Sequence, residues 1–121
     1  MGTKGADGME LELMVTERRI GGVAVVEVEG EIDVATAPQL GDRLRALESG
    51  GTATVIVDLS KVSFLDSTAL GVLVASFKRL REGGGELRIV AHEPRILRVF
   101  EITDLDRVLA IYPTPEAATA G

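Results

Sequence analysis

The sequence predicts an α/β fold: one domain with a mixed β-sheet and packed α-helices, built as an initial β-hairpin followed by alternating helices and strands. Three observations carry that reading. Two strand-like runs meet at Gly21-Gly22, the arrangement of a hairpin. Beyond them, apolar stretches of strand length alternate with stretches whose apolar residues recur every three or four positions. Glycine clusters at Gly50-Gly51 and Gly83-Gly84-Gly85 separate one kind from the other. Such alternation is how a chain builds a sheet with helices packed on it. The 121 residues suit one domain, large enough to bury a core without disulfides or metal.

The elements follow in order. Residues 1–9 are polar and glycine-rich and are expected to form a flexible leader, leaving 10–121 as the domain. Leu11 to Glu17 partly alternates, which predicts a strand with one buried face. Val23 to Glu29 is a second, more apolar strand, and Gly30-Glu31-Ile32-Asp33-Val34-Ala35 leads away from it. Thr36 followed by Gln39 has the spacing of a capping box, and Pro38 fits a first helical turn. Leu40, Leu44 and Leu47 then recur at helical spacing up to Ser49-Gly50-Gly51. Thr54 to Leu59 has an unbroken apolar centre and predicts a strand buried on both faces. A helix runs from Asp66-Ser67-Thr68 to about Glu82, and Leu87 to Val90 is a fourth strand. Pro94 to Thr103 reads as a helix with Ile96, Val99 and Phe100 inward, and Val108 to Ile111 as a last short strand. Thr114 to Ala118 starts a final helix.

Composition excludes several functions. Only 3% of residues are aromatic against 45% hydrophobic, so the core is aliphatic. There is no cysteine, hence no disulfide, thiolate metal site or cysteine nucleophile. The single histidine, His92, sits among Ala91, Glu93 and Pro94 as a surface loop residue and cannot supply a His-rich metal site. No cofactor is expected. The formal charge of -6 argues against a nucleic-acid partner. No apolar run approaches the roughly 20 residues that cross a bilayer, and the first residues lack the apolar segment of a signal peptide. The expectation is a soluble, cytoplasmic domain with no membrane contact.

The stretch from Val62 to Leu73 carries the chemistry. A carboxylate and two hydroxyls, Asp66, Ser67 and Thr68, stand where a strand turns into a helix. Side-chain oxygens there accept from free backbone N–H groups, and the same helix end favours added negative charge. Ser67 therefore reads either as a cap or as a place for a phosphate, with Thr68 as the rival acceptor. On a helical wheel Ala69, Leu70, Leu73, Phe77 and Leu80 share the sheet-facing side, while Lys78, Arg79 and Glu82 point to solvent. Gly71, Val72 and Ala75 fall on the outer side without any charge. Either another segment of the chain covers them, or they form a flat patch for a partner.

Phe64-Leu65-Asp66-Ser67-Thr68-Ala69-Leu70-Gly71 resembles the phosphorylation motif of the bacterial anti-sigma factor antagonists, the STAS domains. Gly30-Glu31-Ile32-Asp33 with Thr36-Ala37-Pro38 resembles the family's second motif, in the loop before the first helix. The resemblance spans about Leu11 to Tyr112 and departs at Ala69, where glycine is common. It implies a small α/β domain without catalysis of its own. It also implies that Ser67 is phosphorylated by a partner that is both serine/threonine kinase and anti-sigma factor. The unphosphorylated form captures that kinase and frees the sigma factor, and a PP2C-type phosphatase reverses the modification. Asp33 corresponds to the acidic residue near the phosphorylated serine, Asp66 and Thr68 support the motif, and Thr36, Gly71, Val72 and Ala75 are expected to meet the partner.

Two other functions compete. Some STAS modules of transporters or larger signalling complexes lack a working phosphoacceptor, whereas Asp66-Ser67 is intact here. A serine hydrolase would need the Gly-x-Ser-x-Gly elbow, which is absent, and would depend on His92 as base.

Overall fold

The computed structural model of the protein describes residues 13–121. The leader and the first two residues of the expected opening strand lie outside them. Gly21, at φ +63°, occupies the left-handed region open to glycine. This turn folds β1 (Met14–Ile20) back onto β2 (Val23–Ile32) in an antiparallel ladder from Ile20↔Val23 to Met14↔Glu29. From there helices and strands alternate: α1 (Ala37–Ser49), β3 (Thr54–Leu65), α2 (Ser67–Glu82), β4 (Glu86–Val90) and α3 (Pro94–Ile102). A 3-10 turn (Leu105–Arg107), β5 (Ala110–Tyr112) and α4 (Pro115–Ala120) complete the chain. Spatial order equals chain order, β1-β2-β3-β4-β5, with β2 to β5 parallel, so the sheet is mixed.

Strand alternation assigns the faces. Ala24, Val26 and Val28 of β2, Val55, Val57 and Leu59 of β3, and Leu87 and Ile89 of β4 point to one side. There they meet Leu40, Leu44 and Leu47 of α1, Leu70, Leu73 and Leu80 of α2, and Ile96 and Phe100 of α3. The opposite side buries Val25, Ile56 and Val90 under Ala118 of α4. Consequently Val55 to Leu59 is buried on both faces, Asp58 included, as the unbroken apolar centre of the strand predicts. Each fully buried aliphatic side chain contributes about 1.5–3 kcal/mol of transfer free energy.

The boundaries differ from the sequence reading in three informative places. First, β2 runs on to Ile32 and β3 to Leu65 rather than ending at Glu29 and Leu59. Register shifts between Glu27 and Glu29 and between Gly30 and Glu31 absorb irregularities in the pairing, and Gly30 takes φ +122° there. Main-chain pairing thus outlasts the apolar pattern. Second, the expected capping box is absent. Thr36 makes no side-chain cap bond to α1, and Gln39 Nε2 instead donates to the Leu13 carbonyl at 2.9 Å. Third, the last strand starts at Ala110, because Leu105–Arg107 forms the 3-10 turn and Val108 follows it exposed. The final helix is capped as its sequence suggests, Thr114 Oγ1 accepting from Ala117 N–H at 3.1 Å.

Candidate functional site

The two motifs meet because β2 and β3 are parallel neighbours that end in register, Ile32 opposite Leu65. Asp33 and Asp66 therefore leave the sheet side by side. The Asp66 N–H donates to the Ile32 carbonyl at 3.2 Å and stitches the two loops together.

At the start of α2 the cap is Asp66. Its backbone is extended (φ -113°, ψ -171°), and Oδ1 accepts from the N–H groups of Thr68 at 2.9 Å and Ala69 at 3.1 Å. Two of the free N–H groups of the first turn are thereby satisfied. Ser67 is the first helical residue and is exposed. Among the described residues its hydroxyl makes no hydrogen bond. The choice between cap and free hydroxyl is resolved at this position: Asp66 takes the capping role and Ser67 does not. Thr68 is also exposed, with its N–H held by Asp66.

On the neighbouring loop, Asp33 Oδ1 accepts from the N–H groups of Ala35 at 3.0 Å and Thr36 at 3.1 Å, with Thr36 Oγ1 at 3.2 Å. These donors, the Thr36 N–H foremost, hold the Asp33 carboxyl below its ordinary range, and partial burial opposes them only in part. Thr36 is half-buried. Two further residues flank the loops and lack any partner in the sequence reading: Val34, 71% exposed, and Phe64, 48% exposed. Both lie inside the motif stretches, but neither belongs to a periodic run, so only their exposure singles them out.

The outer side of α2 divides between the two alternatives. Gly71 is exposed, and a Cβ added there meets nothing within 4 Å. Val72 is half-buried against α1, its Cγ1 lying 3.6 Å from where a Cβ on Gly41 would stand. Ala75 is half-buried too. With Thr68, Gly41, Arg45 and Arg79 they line a shallow groove of about 340 Å³ between α1 and α2. The chain thus covers one flank of the small-residue stretch and leaves the Gly71 flank open.

Farther along α2 Arg79 and Phe77 differ from the wheel, and Ser76, which it left unassigned, is buried. Arg79, expected in solvent, pairs with Glu48 of α1 through Nε at 2.5 Å and Nη2 at 3.2 Å. Ser76, fully buried, donates to the same carboxylate at 2.5 Å. Phe77 is only half-buried, with the Arg81 guanidinium 5.6 Å from its ring centre. Lys78 and Glu82 are exposed as expected, and so is His92. Among the described residues no group of His, Asp and Glu is placed to hold a metal ion, and no helix is long and apolar enough to cross a membrane.

Comparison with known proteins agrees with this fold. The STAS domain family model matches residues 15–118. An anti-sigma-B factor antagonist of Staphylococcus aureus is 41% identical over 86 residues, covering 71% of this chain and 80% of that protein. One from Listeria monocytogenes is 36% identical over 103 residues, covering 85% and 90%. The crystal structure of an anti-sigma factor antagonist from Mycobacterium paratuberculosis superposes with a TM-score of 0.85 at 33% identity, covering 90% of this chain and 92% of that one.

Proposed function

Because the chain belongs to the STAS domain family, in its anti-sigma factor antagonist branch, we propose that it is a phospho-switch with no catalysis of its own. Unphosphorylated, it binds an anti-sigma factor serine/threonine kinase in the cytoplasm and frees the sigma factor. Phosphorylation of Ser67 ends that binding, and a PP2C-type phosphatase restores it. The observation that carries the reading is the exposed Ser67 hydroxyl, unbonded among the described residues because Asp66 does the capping.

The same division of labour explains how a phosphate would act. It adds about -1.5 to -2 charges at neutral pH, beside Asp66 and next to the loop of Asp33. The Thr68 and Ala69 N–H groups that would otherwise receive it are already held by Asp66. The phosphate therefore stays at the surface, still seeking donors. The docking face under this proposal comprises Gly71, Val72 and Ala75 along α2, bordered by Val34, Phe64 and the Thr36 loop. A partner seated there must desolvate the phosphate, at a cost that readily exceeds the about 2.7 kcal/mol of a hundredfold affinity loss.

Intact-mass measurement after incubation with ATP and each anti-sigma serine kinase of the source genome tests the proposal. One added phosphate, absent in Ser67→Ala, is the expected result. No modification by any of them, or a phosphate that persists in Ser67→Ala, contradicts it.

A further inference from the structure

Thr36 stands at the junction between loop and α1, where a threonine ordinarily turns its hydroxyl forward onto its own helix. Here it turns backward. Thr36 Oγ1 accepts the Asp33 N–H at 2.9 Å, and its single proton has the Glu31 carbonyl at 2.8 Å and Asp33 Oδ1 at 3.2 Å as acceptors. Its own N–H lies 3.1 Å from Asp33 Oδ1 and 3.2 Å from the Asp33 carbonyl oxygen. The start of α1 is held instead by the Asp33 carbonyl, which accepts from Ala37 N–H at 2.8 Å. One side chain thus forgoes its cap to hold the Asp33 backbone N–H and to share its proton between the Glu31 carbonyl and the Asp33 carboxylate, which the Ala35 and Thr36 N–H groups also hold. No ion pair involves Asp33 among the described residues. The ionisable neighbours on the converging segments, Glu31 and Asp66, carry its own sign. Hydrogen bonds within the loop, rather than a cation, hold the carboxylate in place.

We propose that Thr36 is a positioning residue of the switch, its hydroxyl holding Asp33 in one conformation beside the Ser67 loop. The kinase then meets a preformed anionic wall next to the phosphoacceptor, and the effect of Thr36 on partner binding runs through Asp33. This rests on the reading of Ser67 as the phosphorylated residue.

The test compares Thr36→Val, which keeps shape and removes the hydroxyl, with Thr36→Ser, which keeps the hydroxyl. NMR titration of the Asp33 carboxyl is read first, without any partner. Wild type and Thr36→Ser titrate below the ordinary aspartate range, and Thr36→Val moves up toward it. Phosphorylation kinetics with the anti-sigma kinase that modifies wild type are read second. There kcat/KM falls about tenfold in Thr36→Val and is restored in Thr36→Ser. An unchanged Asp33 titration in Thr36→Val overturns the positioning role. A shifted titration with wild-type kinetics shows that placing Asp33 does not matter to the switch, and also overturns it. If no kinase modifies wild type, the Ser67 reading fails and the switch role fails with it, while the titration still reports the link between hydroxyl and carboxyl. Should Thr36→Val fold poorly, Asp33→Asn replaces it in the kinetics, keeping the amide oxygen for the turn and dropping the charge. A similar loss is expected there, and a wild-type rate overturns the proposal.

Discussion

Asp66 and Ser67 are adjacent, and their side chains do opposite things. The carboxylate turns in to satisfy two N–H groups and the hydroxyl is left exposed. Asp66→Ala is therefore expected to cost about 1 kcal/mol, within the 0.5–2 kcal/mol range for lost caps, a fall in Tm of about 4 °C by thermal unfolding. Ser67→Ala should leave the melting temperature within error of wild type. Asp33 carries a pH dependence whose sign follows from its lowered pKa. A carboxyl depressed in the folded state stabilises above its unfolded value, about 3.9, and that contribution fades as pH falls through the folded value. Urea unfolding of wild type and Asp33→Asn from pH 7 downward should show a gap that holds at neutral pH and closes in acid below the ordinary aspartate range. A gap that widens in acid would reverse the assignment. Residue types at both motifs were legible in the sequence. Which oxygen takes which N–H was not, because Asp, Ser and Thr are all good caps and only the backbone geometry chooses among them.

Among the elements, α2 answers to two neighbours. Its inner stripe of Ala69, Leu70, Leu73 and Leu80 was legible from period alone, since burial against a sheet repeats with the helix. Ser76 and Arg79 were not. A serine and an arginine on a wheel read as solvent residues unless an unseen helix brings a carboxylate, and Glu48 on α1 does so across 28 and 31 positions of sequence. That polar clamp fixes the far half of α2 against α1, while its near half keeps Gly71 open. Glycine inside a helix costs about 0.5–1 kcal/mol relative to alanine, and nothing stands within 4 Å of a Cβ at Gly71. Gly71→Ala is therefore expected to stabilise the protein by about that amount in denaturant unfolding. In a calorimetric titration with the kinase it should weaken binding, because the methyl fills space that the docking face keeps clear. Stabilisation with unchanged affinity would remove Gly71 from that face.

At the scale of the whole molecule, the arrangement depends on how far the parallel strands stay paired. The α/β class, the hairpin and the strand–helix alternation follow from periodicity and glycine punctuation. The shared end of β2 and β3 does not, since Gly30-Glu31 and Ser60-Lys61 interrupt the apolar pattern while the backbone ladder continues beside them. That continuation brings two motifs about thirty residues apart in sequence to the same end of neighbouring strands and joins them through the Asp66–Ile32 hydrogen bond. The edge strand β1 is held by side chains: Gln39 and Arg43 of α1 donate to the Leu13 and Val15 carbonyls at 2.9 and 3.0 Å, occupying groups that an added strand would use. The most direct test of the charge switch is the affinity of Ser67→Ala and Ser67→Asp for the kinase that phosphorylates wild type, measured by calorimetry on folded protein. Ser67→Ala should bind as tightly as unphosphorylated wild type and Ser67→Asp about a hundredfold more weakly, a difference of about 2.7 kcal/mol. Equal affinity of the two variants would contradict a switch worked by charge at Ser67.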